Sequence, residues 1–237
     1  MKFTKRLSRS GAALVLAITG VITAAPAVSA APAFSASLQA NNNPVAPLRF
    51  NNFTAFEASG TGTRTVRLPA TRSAAIVHAT WTGTGQFRIQ GLDEHNQSVS
   101  GAGFIISHWT PFNVTEDFEG SGAWGLRRND YVRVLQIHAE GPWTIRVTSV
   151  NEAPPLPRSG TGPGVFRWTN PATDWEIRHE GRSNFAIWTV GRLHSWGTTR
   201  QSALLVNEIG DWRGTVAAPR GPVIVEISAD GNWRINR

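Results

Sequence analysis

The chain has 237 residues with no cysteine, ten tryptophans against one tyrosine, and a formal charge of +7. The absence of cysteine excludes disulfide scaffolding, thiol catalysis and thiolate zinc sites, so a hydrophobic core must supply the stability. The charge is concentrated at the start. Lys2, Lys5, Arg6 and Arg9 leave 19 basic residues, all arginine, against 16 acidic ones beyond residue 30, and no basic stripe of the kind that nucleic acid requires.

Residues 1–30 read as a signal peptide: a basic head, an apolar stretch from Gly11 to Ala27, and a small-residue cleavage site at Val28-Ser29-Ala30. The apolar stretch is too short and too rich in Ala, Gly and Thr for a permanent span. The expectation is a secreted protein without stable membrane insertion after cleavage. Residues 31–58 are rich in Ala, Ser, Asn and Pro and read as a flexible leader. Its end, with Leu48, Phe50, Phe53 and Phe56, is apolar enough to add an edge strand to the first module.

From residue 59 the chain repeats itself. Ser59-Gly60-Thr61-Gly62 recurs as Ser159-Gly160-Thr161-Gly162 at an offset of 100. Val77–Gly83 aligns with Trp175–Gly181, and Gln86–Ile89 with Asn184–Ile187, both at 98. Gly122-Ala123-Trp124 matches Gly210-Asp211-Trp212 at 88, and Ile137–Ile145 matches Ile227–Ile235 at 90. This alignment places a ten-residue insertion between Ile89 and Gly122 of the first copy. Asn151–Pro157 carries three prolines in four residues and reads as a stiff linker between modules at 59–150 and 158–237.

Within each copy the apolar period is two, and turn signals recur every eight to twelve residues. The expected fold is all-β, two tandem antiparallel β-sandwich modules from an internal duplication. The paired Gly-Thr-Gly openings and acidic-Gly-Trp closing hairpins resemble tandem repeats of secreted proteins from high-GC Gram-positive bacteria. That resemblance covers nearly all of residues 59–237 and implies export and β architecture, with no activity attached.

Motifs for chemistry are sparse. Glu119-Gly120-Ser121-Gly122-Ala123 lacks the spacing of a nucleophile elbow, and the Gly-Thr-Gly turns lack the Lys and helix of a phosphate loop. The six histidines show no compact zinc spacing, and His78, His138 and His179 read as solvent-facing strand residues. Asp93/Glu94 and Glu116/Asp117/Glu119 are oxygen-rich loops on which calcium or a glycosidase pair would depend. They read more simply as solvated charges. No catalytic residue, metal or cofactor is expected.

Tryptophan carries the functional reading. Trp124/Trp212 and Trp143/Trp233 occupy equivalent repeat positions and are assigned to the cores. Trp81, Trp168, Trp175 and Trp188 fall on strands. Trp109 and Trp196 sit instead in loops where the copies differ, each close to a histidine. The candidate ligand-binding residues are therefore His108, Trp109 and Phe112 in the first module and Arg192, His194 and Trp196 in the second. Flat indoles beside polar donors suit sugar rings. The sequence thus favours a secreted, non-catalytic protein recognising a surface glycan or cell-wall polymer. A protein–protein module, such as an inhibitor, toxin subunit or assembly component, is the alternative, and a small hydrolase using the two carboxylate clusters is less favoured.

Overall fold

A computed structural model describes residues 48, 50–72, 74–99, 104–127, 131–193 and 200–237. The signal peptide and most of the leader expected from the sequence lie outside the described residues. The fold is all-β, with sixteen strands among the described residues. The first eight are β1 (Phe56–Thr61), β2 (Arg64–Arg72), β3 (Ala75–Gly83), β4 (Gln86–Leu92), β5 (Phe104–Trp109), β6 (Glu116–Trp124), β7 (Val132–His138) and β8 (Pro142–Thr148). A 3-10 turn at Val150–Glu152 leads into the second eight. These are β9 (Ser159–Thr161), β10 (Gly164–Trp168), β11 (Thr173–Glu180), β12 (Asn184–Leu193), β13 (Arg200–Ile209), β14 (Trp212–Ala218), β15 (Val223–Ser228) and β16 (Asn232–Asn236). The pairings between these strands are all antiparallel. No helix among the described residues is long and apolar enough to cross a membrane.

The duplication is complete at the level of topology. Module 1 packs a sheet ordered β1-β8-β3-β6 on one ordered β2-β7-β4-β5. Module 2 repeats both orders eight strands later, as β9-β16-β11-β14 and β10-β15-β12-β13. Inward residues alternate along the strands and meet in two cores. One is built on Trp81, Phe87, Ile89, Leu135, Ile137, Trp143 and Ile145, the other on Trp175, Ile177, Phe185, Ile187, Trp233 and Ile235. Phe56 and Ala58, at the end of the segment that reads as leader, lie in β1 and pack against the first core.

The same clasp closes each sandwich. Gly60 lies directly opposite Trp143 on the edge strand β1, and Gly160 opposite Trp233 on β9. The glycines bare the backbone, and the indoles lie across them: a Cβ on Gly60 would stand 2.6 Å from Trp143 Cζ2. Each indole Nε1–H then donates to a carbonyl two residues beyond its glycine, Trp143 to Gly62 at 2.8 Å and Trp233 to Gly162 at 3.0 Å. Gly62 and Gly162 hold φ of +71° and +69°, which places that carbonyl at the turn. The amides of Gly62 and Gly162 in turn donate to the carbonyls of Gly141 and Gly231 in the closing hairpins, at 3.0 Å. Each of these two indoles therefore has its N–H paired, and the glycine of an edge strand is covered by an aromatic ring.

Strand register corrects the sequence alignment at one anchor. Trp81 pairs with Phe118, and its repeat equivalent His179 pairs with Trp212. Trp212 is thus the counterpart of Phe118, while Trp124, opposite Ala75, corresponds to Ala218, opposite Thr173. Both true counterparts fold over a glycine two residues along, Phe118 over Gly120 and Trp212 over Gly214. The offset is 100 at Ile106/Val206, 94 at Phe118/Trp212 and 90 at Ile137/Ile227. The extra residues of module 1 are therefore split between the β5–β6 and β6–β7 connections rather than lying in one insertion.

His179 also differs from expectation. It is buried in the position that Trp81 holds in module 1, stacked on Phe185 with ring centroids 4.2 Å apart and planes 2° off parallel. Its Nδ1 donates to the Gly210 carbonyl at 2.8 Å, and its Nε2 lies 3.5 Å from Asp230. The alternation Trp175, Ile177, His179 puts all three on the inner face, and the imidazole fills it as a small aromatic.

The modules share a third core. Ile76, Leu126, Val150, Ala153, Val165, Val190 and Ile224 are buried together, joining the outer face of the β1-β8-β3-β6 sheet to that of the β10-β15-β12-β13 sheet. Leu48 and Phe50 pack against its margin. The Asn151 side chain holds Phe50 through both backbone groups, accepting from its N–H at 3.2 Å and donating to its carbonyl at 2.7 Å. The proline-rich segment is consequently laid along this interface, with Leu156 N–H donating to the Arg167 carbonyl at 2.9 Å and Arg167 N–H to that of Pro154 at 2.7 Å. A charged pair crosses it: Arg127 of module 1 reaches Glu226 of module 2 at 2.5 Å and lies over the Trp188 ring, 4.3 Å from its centroid. Burial pushes the Glu226 carboxyl above its ordinary value, and Arg127 pulls it part of the way back.

Gly60→Ala and Gly160→Ala should each cost about 2 kcal/mol by forcing a methyl into an indole. The exposed Thr61→Ala should change stability by less than about 0.5 kcal/mol in the same denaturation series. Arg127→Ala should cost about 2 kcal/mol by leaving Glu226 without its partner. A carboxyl whose folded pKa is raised loses its favourable contribution as pH rises through that value. The Arg127→Ala loss should therefore be larger at about pH 8 than at about pH 4, measured by urea unfolding.

Candidate functional site

The outer face of the β2-β7-β4-β5 sheet is the counterpart of the module 2 face buried at the interface, and here it is open. Inward residues Phe87, Ile89, Ile106 and Ile137 are buried, so the residues between them face outward. Three cross-strand rows result. Arg88 stands opposite both Ser107 and His138, Gln90 opposite Gln136 and Phe104, and Gln86 opposite Trp109. The Arg88 guanidinium lies over the Phe104 ring at 4.7 Å, and Gln90 Nε2 donates to Ser98 at 2.9 Å.

Trp109 ends β5 and is 60% exposed. The chain turns immediately after it, with Thr110 N–H donating to the Gly85 carbonyl at 2.8 Å and Val114 N–H to that of Pro111 at 3.0 Å. Phe112, 70% exposed, sets one side of its ring against Gly85, where a Cβ would come within 2.6 Å of the ring. Gly85 holds φ of +74°, a turn conformation that also suits glycine. Val114 is a third large apolar side chain on this connection, 45% exposed. Trp109 and Phe112 are thus solvent-facing aromatics anchored on a sheet end, where a rigid frame presents a variable loop.

His108 goes elsewhere. Strand alternation turns it to the opposite side of β5 from Trp109, beneath the face rather than on it. Its ring lies 4.7 Å from Phe118 and 6.0 Å from Trp81, and its Nε2 is 3.5 Å from Glu116. It supports the strand from below. In module 2, Trp196 and His194 lie outside the described residues, and Arg192 falls within β12 with its side chain outside them.

Charge distinguishes this sheet from its partner. The four strands β2, β7, β4 and β5 contain Arg64, Arg67, Arg72, Arg88 and Arg133, and no Asp or Glu. The strands β1, β8, β3 and β6 contain Glu57, Glu116, Asp117 and Glu119 against Arg146 alone. Arg88, Gln86, Gln90, Ser107, Gln136 and His138 are the polar members of the Trp109 face that motif and spacing arguments did not single out. The alternation Gln86-Phe87-Arg88-Ile89-Gln90 marks the outward residues of β4, but strand pairing alone brings Ser107, Gln136 and His138 beside them.

The two carboxylate clusters stand on different sheets and are not brought together, although Asp117 and Glu119 of the second cluster both line a cleft between the modules. Asp93 is occupied in its own loop, accepting from the amides of His95 and Gln97 at 2.8 Å each. Asp117 and Glu119 belong to the other sheet, on its outer face. No group of three or more His, Asp or Glu side chains among the described residues is placed to hold a metal ion.

No family model and no curated protein matches the chain. Among solved structures it is similar to the N-terminal CBM22-1-CBM22-2 tandem domain from Paenibacillus barcinonensis Xyn10C. The two share 6% sequence identity over 69% of this chain and 77% of that one, with a TM-score of 0.21.

Proposed function

We propose that the protein is a secreted, non-catalytic binding protein that holds an acidic surface glycan or cell-wall polymer on the Trp109 face. The observation that carries this reading is the open sheet face itself. It combines three exposed aromatic rings (Phe104, Trp109 and Phe112), a row of amide and hydroxyl side chains, and Arg67 and Arg88, with no acid on the same four strands. A sugar ring has an apolar side and a hydroxyl rim. The Trp109 indole takes the first, while Gln86, Gln90, Ser107 and Gln136 meet the second through both donors and acceptors. Acid groups along the polymer are drawn to Arg88 and Arg67, with a dependence on ionic strength expected of exposed charges.

A flat, solvated face of this kind gives no chemical step a place to happen. It lacks a paired acid and base, and it does not exclude water. Retention at a surface is the task it suits.

Trp109→Ala should weaken binding to an oligogalacturonate or a comparable acidic polysaccharide by at least about tenfold, with the denaturation midpoint unchanged. Isothermal titration at two salt concentrations provides the check. Equal affinity of parent and variant would remove the Trp109 face from consideration, and salt-independent binding would contradict the role given to the arginines.

A further inference from the structure

Where the modules meet, the acidic sheet of module 1 does not close completely on module 2. A cleft of about 1000 Å3 remains between the two. Its floor is the outer face of β1, β8, β3 and β6, whose pairing fixes two four-residue rows. One row is Glu57, Arg146, His78 and Ser121, and the next is Ser59, Thr144, Thr80 and Glu119. Asp117 stands beside the second row on β6. The opposite wall is mostly apolar, formed by Pro154 of the connecting segment and by Pro163, Val165 and Phe166 of module 2, with Thr161 at its side.

The cleft is rigidly rooted. Ser121 N–H donates to the Pro163 carbonyl at 3.0 Å, and Val165 N–H donates to Ser121 Oγ at 3.0 Å. Gly120 permits this approach, since a Cβ there would come within 2.9 Å of Pro163. The spacing of floor and wall is thereby set by hydrogen bonds across the module boundary, and ligand binding carries no cost of assembling it.

Charge on the floor is uneven. Arg146 is engaged by Glu57 at 3.3 Å, and the hydroxyls of Thr80 and Thr144 satisfy each other at 2.7 Å. Asp117 accepts from Thr82 at 2.7 Å, which uses one of its two oxygens. His78 faces this lining with its pKa pushed down, first by burial and then by Arg146, although Glu152 and Glu119 act against them. Glu119 and the second oxygen of Asp117 are left as acceptors on one strand, two residues apart, with hydroxyls alongside.

We infer that this inter-module cleft is a second ligand site, taking an oligosaccharide segment that carries protonated amines, in other words an amino-sugar oligomer. The apolar face of the sugar lies on Pro163 and Phe166, and its hydroxyl and ammonium groups meet Ser59, Glu119 and Asp117. An acidic saccharide is repelled there, which gives the cleft the opposite preference to the Trp109 face. This site extends the glycan-binding reading but rests on a different sheet, and the two succeed or fail separately.

The experiment is a titration of the full chain and of the single variants Glu119→Gln and Trp109→Ala with three probes: a glucosamine oligomer, a glucose oligomer of equal length, and an oligogalacturonate. Glu119 is solvent-exposed, so its neutral isostere should leave the denaturation midpoint in place. The expected result is binding of the glucosamine oligomer, weakened about tenfold by Glu119→Gln and unaffected by Trp109→Ala. The glucose oligomer should bind more weakly and without regard to Glu119→Gln. Glucosamine binding abolished by Trp109→Ala, or indifferent to Glu119→Gln, would overturn the cleft as its site. Failure of the oligogalacturonate alone would overturn only the Trp109 face.

Discussion

A tryptophan laid across a glycine is the contact on which each half of this molecule depends. The edge strand of each sandwich needs a bare backbone opposite the indole, because any Cβ would occupy the ring's place. The turn after that strand needs a left-handed glycine so that its carbonyl meets the indole N–H. The closing hairpin needs its own glycine, whose carbonyl accepts from that same turn. Three glycines and one tryptophan therefore specify one another. Removing either buried indole would forfeit about 4 kcal/mol, a large fraction of the stability of a domain this size.

Duplicating that unit created an asymmetry that a single copy lacks. The two modules stack face to back, the outer face of one sheet of module 1 on the non-equivalent outer face of module 2. One copy's face is consequently buried while the matching face of the other remains in water. Residues at matching positions differ accordingly. Val165 and Trp188 at the interface correspond to Thr65 and Gln90 on the open side, and Glu226, clamped by Arg127, corresponds to Gln136. The fold thus covers one surface between the modules and leaves its counterpart in water, and the incomplete closure between modules leaves a cleft.

Much of the architecture was legible because strand periodicity and duplication are local signals. The Gly-Thr-Gly openings and the acidic-Gly-Trp hairpins could be matched without coordinates, and they proved to be two ends of one clasp. The Gly122-Ala123-Trp124 match misled, because a shared triplet outweighed register. The true equivalence is an aromatic two residues before a glycine, Phe118/Gly120 and Trp212/Gly214, which depends on which residues stand opposite across the sheet. The interface also leaves a local signal in the sequence. Ala75-Ile76-Val77 and Val223-Ile224-Val225 are apolar on both faces, as strands covered on both sides must be. The polar members of the Trp109 face stayed hidden for a different reason. Gln86, Arg88, Ser107 and His138 converge only when three strands pair, and no spacing along the chain reports that.

Tryptophans that hold the fold and a tryptophan that meets solvent should differ in how their indole protons exchange. Hydrogen exchange of the indole N–H groups, resolved by NMR, tests that division directly. Trp143 and Trp233 should exchange only through global unfolding, with protection close to the full unfolding free energy, whereas Trp109 should exchange as a free indole does. Exchange at Trp143 and Trp233 as fast as at Trp109 would contradict the clasp, and strong protection of Trp109 in the free protein would contradict its place on an open face.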